Sequence, residues 1–506
     1  MRQRKYDLII KNARIIDGTG KPELHGDIAI SNGRIDAIGN LSNGAAKEID
    51  AQGAIACPGF IDVHTHAENI LTLPQAENFL RMGVTTLVTG NCGSSAQNID
   101  QFLKDAVSKG AGVNIATLIG HNTVRSRAMG GSHNRPPTAA EMEQMKRLVR
   151  EGLSQGAFGL STGLIYVPGT YSNTEEIVQL ASACTEFKAL YVSHMRNEGA
   201  GIHGALDELF EVARHNKIGA QISHIKLSGP SMWGKANEIL DKIDKAREEG
   251  LRIYQDQYLY TASSTGISTL IPSEFREGGR EQFRQRINDP EIRRQIGEQM
   301  KKNLERRGAA DYSYAVIASY ARDRRLVGKN LPEAAKIAKG GDTLDHQIEL
   351  VIEIEASGGA SGVFHGMSEP DVRTFMSHPR TMIASDSGVR RMGEGVPHPR
   401  GYGNNARALH KYVREEKRLE LSEAVRKMTS LPAEAFGIPQ RGRILEGYWA
   451  DIAIFHPDRV VERTTYDRPH QFSEGFLAVL VNGKEAVVKD RCLNARAGMA
   501  VRRQAL

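Results

Sequence analysis

Cysteine is scarce in this chain, with four among 506 residues, at Cys57, Cys92, Cys184 and Cys492. Thiols spaced so widely form neither a disulfide framework nor a CxxC metal clip, and free thiols fit a reducing compartment. No apolar run approaches the roughly 20 residues that span a bilayer. The opening MRQRKYDLIIKNARIIDG holds no apolar stretch of signal-peptide length. A cytoplasmic protein without a membrane partner is therefore expected. Aromatic and basic residues do not interleave as they do in RNA-binding surfaces. The net charge of +6, from 66 basic and 60 acidic residues, is mild for this length. Its densest stretch, 276–307, mixes both signs and reads as a solvated helical surface, so nucleic acid is not an expected partner. Ser161-Thr162-Gly163 is not read as a nucleophile motif, and the Gly-rich run at 357–362 lacks the lysine of a phosphate loop.

What is present describes a globular protein, 40% hydrophobic and 25% charged. The length suits a barrel plus a second domain. Between about residues 6 and 57, short runs such as DLIIKNARII, DIAI and RIDAIG alternate with turns, of which Asp17-Gly18-Thr19-Gly20 is the clearest. ADIAIF, LAVLVNG and KEAVVKD repeat the pattern near the end. Neither part is long enough to close alone. The expectation is one small β-sandwich domain built from 1–57 and 441–506, with a hydrolase barrel over 58–440 between them.

The middle alternates strands with helices, the pattern of a parallel sheet. Thr138 and Glu141 predict a capping box ahead of Met142, Met145, Leu148 and Val149 on one helical face. Ser172 and Glu175 predict another, ahead of a helix that buries Cys184. Eight strands can be counted: GFIDVH, TTLVTG, NIATLIG, FGLSTG, LYVSH, AQISH, RIYQD and TMIAS. They point to a closed (β/α)₈ barrel of TIM type more than to an open sheet. The stretch of about 262–341 breaks the rhythm, is too long for a loop, and is expected to form a helical insertion after strand seven, over the barrel mouth.

His64-Thr65-His66 follows the first strand, and residues i and i+2 of a strand share a face. Both imidazoles then project at the C-terminal rim, where barrel active sites are built. Cys92, His194, His224 and Asp386 end the second, fifth, sixth and eighth strands. Each has a bland alternative: a packed thiol, a hydrogen-bonded core histidine, a helix N-cap. Imidazole and thiolate are ligands that zinc favours, and a carboxylate beside zinc can shuttle protons. His121 and His365 also fall near strand ends and read as residues that orient loops.

With these residues in place, the chain resembles the N-acyl-D-amino-acid deacylases (D-aminoacylases) of the amidohydrolase superfamily. The resemblance spans nearly the whole length, through PGFIDVHTH, TGNCG, GLSTGLIYVPG, SHMRNEG, SHIKLSG, IASDS, HPRGYG and GYWADIAIF. It implies zinc-dependent hydrolysis of the amide of an N-acyl-D-amino acid. It also implies one tight metal position at Cys92, His194 and His224, a weaker one at His64 and His66, and Asp386 as catalytic acid–base. Lys226, Tyr258, Ser264 and Arg400 match positions that hold the substrate carboxylate. Ile225, Ser387 and the stretch 401–407 depart from the family pattern, and these departures bear on which side chain is preferred. Alternatives are a dipeptidase for peptides ending in a D-residue, a cyclic-amide amidohydrolase that opens hydantoins or dihydropyrimidines, and a non-catalytic relative. A homo-oligomer is compatible with all of them.

Overall fold

The computed structural model describes residues 4–504. Eight parallel strands form the expected barrel: Phe60–Asp62, Val84–Thr89, the stretch 114–120, Gly159–Gly163, Leu190–His194, Ala220–Ile222, Ile253–Gln257 and Thr381–Ile383. The third strand makes both of its seams in turn. Asn114–Thr117 pairs with the second strand, and Ile119–Gly120 pairs with the fourth. The ring closes between strands eight and one. There Thr65 bridges Ser387, and the Asp386 N–H donates to the His64 carbonyl at 2.8 Å. Alternate residues fill the interior, among them Val63, Val88, Leu118, Val192 and Met382, and Phe436 and Val501 pack into the same cluster. Polar residues of the next rank up the strands therefore face the rim.

The helices follow their caps. Thr138 and Glu141 make the expected reciprocal capping box for Ala139–Ser154. The second box does not form. Helix Thr174–Phe187 is capped by Asn173, which accepts from the Glu176 N–H, while the Ser172 hydroxyl donates to the Gly169 carbonyl at 2.7 Å. Ser172 is thus spent on the preceding tight turn, and the cap moves one residue on. Cys184 is fully buried on this helix, as its spacing implies.

Both chain ends join in one nine-stranded sheet. Its seam is the antiparallel pairing of Ile55–Pro58 with Ile452–Phe455, where Cys57 lies opposite Ala453. One face encloses its own core through Leu8, Ile10, Ile28, Ile452 and Leu480. The other face sets Phe455, Phe476 and Val479 into the main core of the barrel.

The insertion after strand seven is not helical alone. Strands Ala262–Gly266, Ala315–Ser319 and Ser361–His365 form an antiparallel sheet with the last in the centre. Helices Arg280–Arg286, Pro290–Arg307, Leu331–Lys339 and Leu344–Ala356 pack on it around a separate core that includes Phe283, Met300, Val351 and Phe364. The unit therefore runs past residue 341, because Thr343 caps a further helix and the central strand returns only at Ser361. Its first strand, ASSTG, has no apolar alternation to betray it. Among the described residues no helix is long and apolar enough to cross a membrane.

Candidate metal centre

The strand ends deliver six of the expected residues to one point. His64, Cys92, His194, His224 and Asp386 are all less than a tenth exposed, and His66 sits half-buried beside them. Three of these leave their strands in the left-handed backbone region: Cys92 at φ 53°, His224 at 36° and Asp386 at 52°. A non-glycine residue held there costs on the order of 1–3 kcal/mol and persists where its surroundings over-determine it. Here the strain turns thiolate, imidazole and carboxylate inward over the barrel axis.

The spacing suits a tetrahedral ion. Bond lengths of about 2.3 Å to sulfur and 2.0–2.1 Å to nitrogen place the ligand atoms about 3.6 Å apart. Cys92 Sγ lies 3.6 Å from His194 Nδ1, 3.6 Å from His224 Nε2 and 3.3 Å from His64 Nε2. On the other side His66 Nε2 lies 3.1 Å and His64 Nε2 3.6 Å from Asp386 Oδ1. Donor atoms of His64, His66 and Cys92, of Cys92, His194 and His224, and of His64, His224 and Asp386 form three overlapping clusters. Soft thiolate with imidazole is a donor set that fits zinc.

Two carboxylates absent from the sequence expectations orient the imidazoles. Glu198 Oε1 lies 3.0 Å from His224 Nδ1 and 2.5 Å from Lys226 Nζ, and Lys226 Nζ lies 2.7 Å from the same Nδ1, so the pair holds the ring with Nε2 toward Cys92. Asp256 Oδ2 lies 3.3 Å from His64 Nδ1 and holds that ring with Nε2 toward Cys92. Asp256 also accepts the His224 N–H and is bonded by Gln221. Asp256 had a legible signal, since it ends strand seven in RIYQD. Glu198 had none, being one acid in a loop.

Electrostatics follow from the packing. Burial pushes the Cys92 thiol up, yet His64, His194 and His224 outweigh it and hold its pKa well below the ordinary thiol value. Burial likewise opposes ionisation of Asp386, and Arg400, His64 and His66 hold it well below the carboxylate range. Asp62, beneath the rim, has no cation against it strong enough to offset burial and is pushed up to about 7.

His194, His224 and Asp386 of the cluster line a cavity of about 470 Å³ between the barrel mouth and the insertion. Lys226, Tyr258 and Ser264 line it as expected, together with Tyr166. Arg400 does not. It is 3% exposed, its Nη1 lies 2.9 Å from Asp386 Oδ2, and its guanidinium stacks 4.4 Å over Tyr258, so it reaches the cavity through Asp386. His398 accepts the Arg400 N–H at 3.0 Å and lies 2.8 Å from the Ala262 carbonyl, tying this support to the insertion. His121 pairs with the buried Glu176, and no metal cluster includes it or His365 among the described residues. Contrary to the sequence expectation, Gly159-Leu160-Ser161-Thr162-Gly163 does match the spacing of a nucleophile elbow. It is a barrel strand, however, and Ser161 Oγ donates to the Gly90 carbonyl and accepts the Gly93 N–H, with no histidine on it. Its role is to hold the Cys92 loop.

A (β/α)₈ barrel with a His-rich metal cluster at its rim and a sheet from both chain ends defines the class, and the chain belongs to the amidohydrolase family, whose model matches residues 47–487. Within it the chain belongs with the N-acyl-D-amino-acid deacylases. It is 34% identical to the N-acyl-D-glutamate deacylase of Alcaligenes xylosoxydans xylosoxydans, over 99% of this chain and 98% of that protein. The crystal structure of a D-aminoacylase superposes with a TM-score of 0.85 at 29% identity, covering 98% of this chain and 100% of the other. The N-acyl-D-glutamate deacylase of Bordetella bronchiseptica, complexed with zinc and a phosphonate mimic of the tetrahedral intermediate, gives a TM-score of 0.85 at 31% identity, over 99% and 100% of the two chains.

Proposed function

We propose that this protein is a zinc-dependent hydrolase that cleaves the amide bond of N-acyl-D-amino acids to a carboxylate and a free D-amino acid. The observation that carries the reading is the Cys92–His194–His224 triad at zinc spacing with Asp386 facing the same cavity. Cys92, His194 and His224 would hold the tight ion, and His64 and His66 would form a weaker position that shares Cys92. Bound zinc supplies a Lewis acid that polarises the amide carbonyl. Asp386, ionised and held by Arg400, takes a proton from the attacking water and passes it to the departing nitrogen. Lys226, Tyr258 and Ser264 hold the α-carboxylate and set the amide over Asp386. Arg400 works one step back, keeping the Asp386 carboxylate aimed and charged.

Release of free amine from matched N-acetyl-D- and N-acetyl-L-amino acids, with the zinc-loaded protein, tests the reading. Turnover of D-substrates is expected. Turnover confined to L-substrates contradicts it.

A further inference from the structure

A second cavity, of about 370 Å³, adjoins the main one and shares Ile165, Arg196, Asn197, Thr269 and Asn303 with it. None of Lys226, Tyr258 and Ser264 lines this annex. It therefore leaves the metal centre away from the residues that hold the α-carboxylate. The shared wall presents hydrogen-bond donors. Asn197 Oδ1 accepts the Gly199 and Gly201 N–H groups at 2.9 and 3.0 Å, and Asn303 Oδ1 accepts from Gln299 Nε2 at 3.1 Å. With both amide oxygens engaged, each side chain has its N–H₂ left to offer.

Two arginines line the annex, and they differ. Arg196 is neutralised by Glu208, 2.8 Å away. Arg276 is half-buried, and its Nε is buried without a hydrogen-bond partner. Burial works against its charge, and Glu355 and Glu274 support that charge only from a distance. Among the described residues neither pairs with it, and Glu355 lies 3.8 Å from Arg280 instead. The backbone around Arg276 is nevertheless held on both sides. Arg286 Nη1 donates to the carbonyls of Phe275 and Glu277, and the Gly278 N–H donates to the Ser132 carbonyl at 2.9 Å. A fixed guanidinium without a counter-ion suits an incoming carboxylate, which it can meet through two parallel bonds.

The order of groups along the substrate decides which carboxylate this is. With the α-carboxylate on Lys226, Tyr258 and Ser264, the amino-acid side chain branches from the carbon next to that anchor. The acyl group begins beyond the scissile carbonyl and is the arm that points away from it. Arg196 and Asn197 follow closely on the ligand His194, so the annex starts beside the metal centre on that far side. We propose that Arg276, with the amides of Asn197 and Asn303, forms an acyl-side subsite for the terminal carboxylate of a dicarboxylic acyl group such as succinyl or glutaryl. The inference rests on the deacylase reading above and concerns the acyl half of the substrate, whatever the amino acid.

The test compares N-succinyl with N-succinamoyl and N-glutaryl with N-glutaramoyl derivatives. All four are built on the D-amino acid whose N-acetyl derivative the full-length, zinc-loaded protein hydrolyses fastest. The members of each pair have nearly the same shape and differ in terminal charge. For at least one pair, kcat/KM should favour the carboxylate by on the order of 10- to 100-fold, the range of a charge-assisted hydrogen bond. Arg276→Met should collapse that ratio toward one, and Arg276→Lys, which keeps the charge but loses the planar fork, should restore part of it. Ratios near one for both pairs, a ratio unchanged in Arg276→Met, or no hydrolysis of any of the four compounds overturns the proposal. A loss in Arg276→Met that falls equally on the N-acetyl derivative would place Arg276 in the scaffold, and overturns it too. Failure to hydrolyse any N-acetyl-D-amino acid would instead defeat the deacylase reading itself.

Discussion

A carboxylate between an arginine and two histidines has its charge fixed for it. Asp386 lies 2.9 Å from Arg400 and 3.1 Å from His66, and these neighbours overcome the burial that would otherwise protonate it. In the proton-carrying role proposed for it, Asp386 therefore starts from the ionised form. Asp386→Asn keeps the shape and removes the basicity. It should retain zinc at the Cys92 triad, measured by metal analysis, while kcat falls by on the order of 10²- to 10⁴-fold. Near-normal turnover would remove Asp386 from the mechanism. At this scale the sequence was informative where a reactive residue ends a strand, as Cys92, His194, His224 and Asp386 all do. It was silent on Glu198, because an acid in a loop is ordinary until its distance to an imidazole is known. Arg400 shows the converse. Its motif was readable, but only packing reveals that the guanidinium is turned onto Asp386.

Among the secondary-structure elements, a buried charge cluster joins helix His121–Met129 to helix Thr174–Phe187. Glu176 Oε1 lies 2.9 Å from both His121 Nε2 and Arg125 Nε, and Arg125 reaches on to the carbonyls of His133 and Arg135. That loop meets the insertion, since the Gly278 N–H donates to the Ser132 carbonyl at 2.9 Å. Glu176→Gln would leave Arg125 buried without its counter-charge, a loss of about 3–5 kcal/mol in pairs of this kind. A lower urea midpoint should report it, and an unchanged midpoint would show the cluster to be dispensable. Burial opposes the charge on Glu176, but His121 and Arg125 outweigh it, so the folded pKa lies below the ordinary 4.5. The unfolded chain then binds the proton more readily. The stabilisation is full above about 4.5 and is lost as pH falls through the folded value, and Glu176→Gln should flatten that acid limb. The one-residue shift of the cap to Asn173 is what brings Glu176 into the first turn. Sequence spacing placed the helix correctly but could not weigh Ser172's competing bond to Gly169.

The whole molecule explains why the centre needs so long a chain. Its donors come from strands one, two, five, six and eight, from His64 to Asp386, and they converge only when the barrel closes between Thr65 and Ser387. The barrel and the paired chain ends were legible because period-two and period-3.6 patterns repeat in order. The insertion's sheet was not, because strands such as ASSTG owe their place to tertiary packing. The most direct test of the assembled centre is X-ray absorption at the zinc edge on protein loaded with one equivalent of zinc. The account predicts a single sulfur neighbour at about 2.3 Å with nitrogen or oxygen at about 2.0–2.1 Å, and loss of the sulfur shell in Cys92→Ser. A wild-type zinc shell of nitrogen and oxygen alone would contradict it.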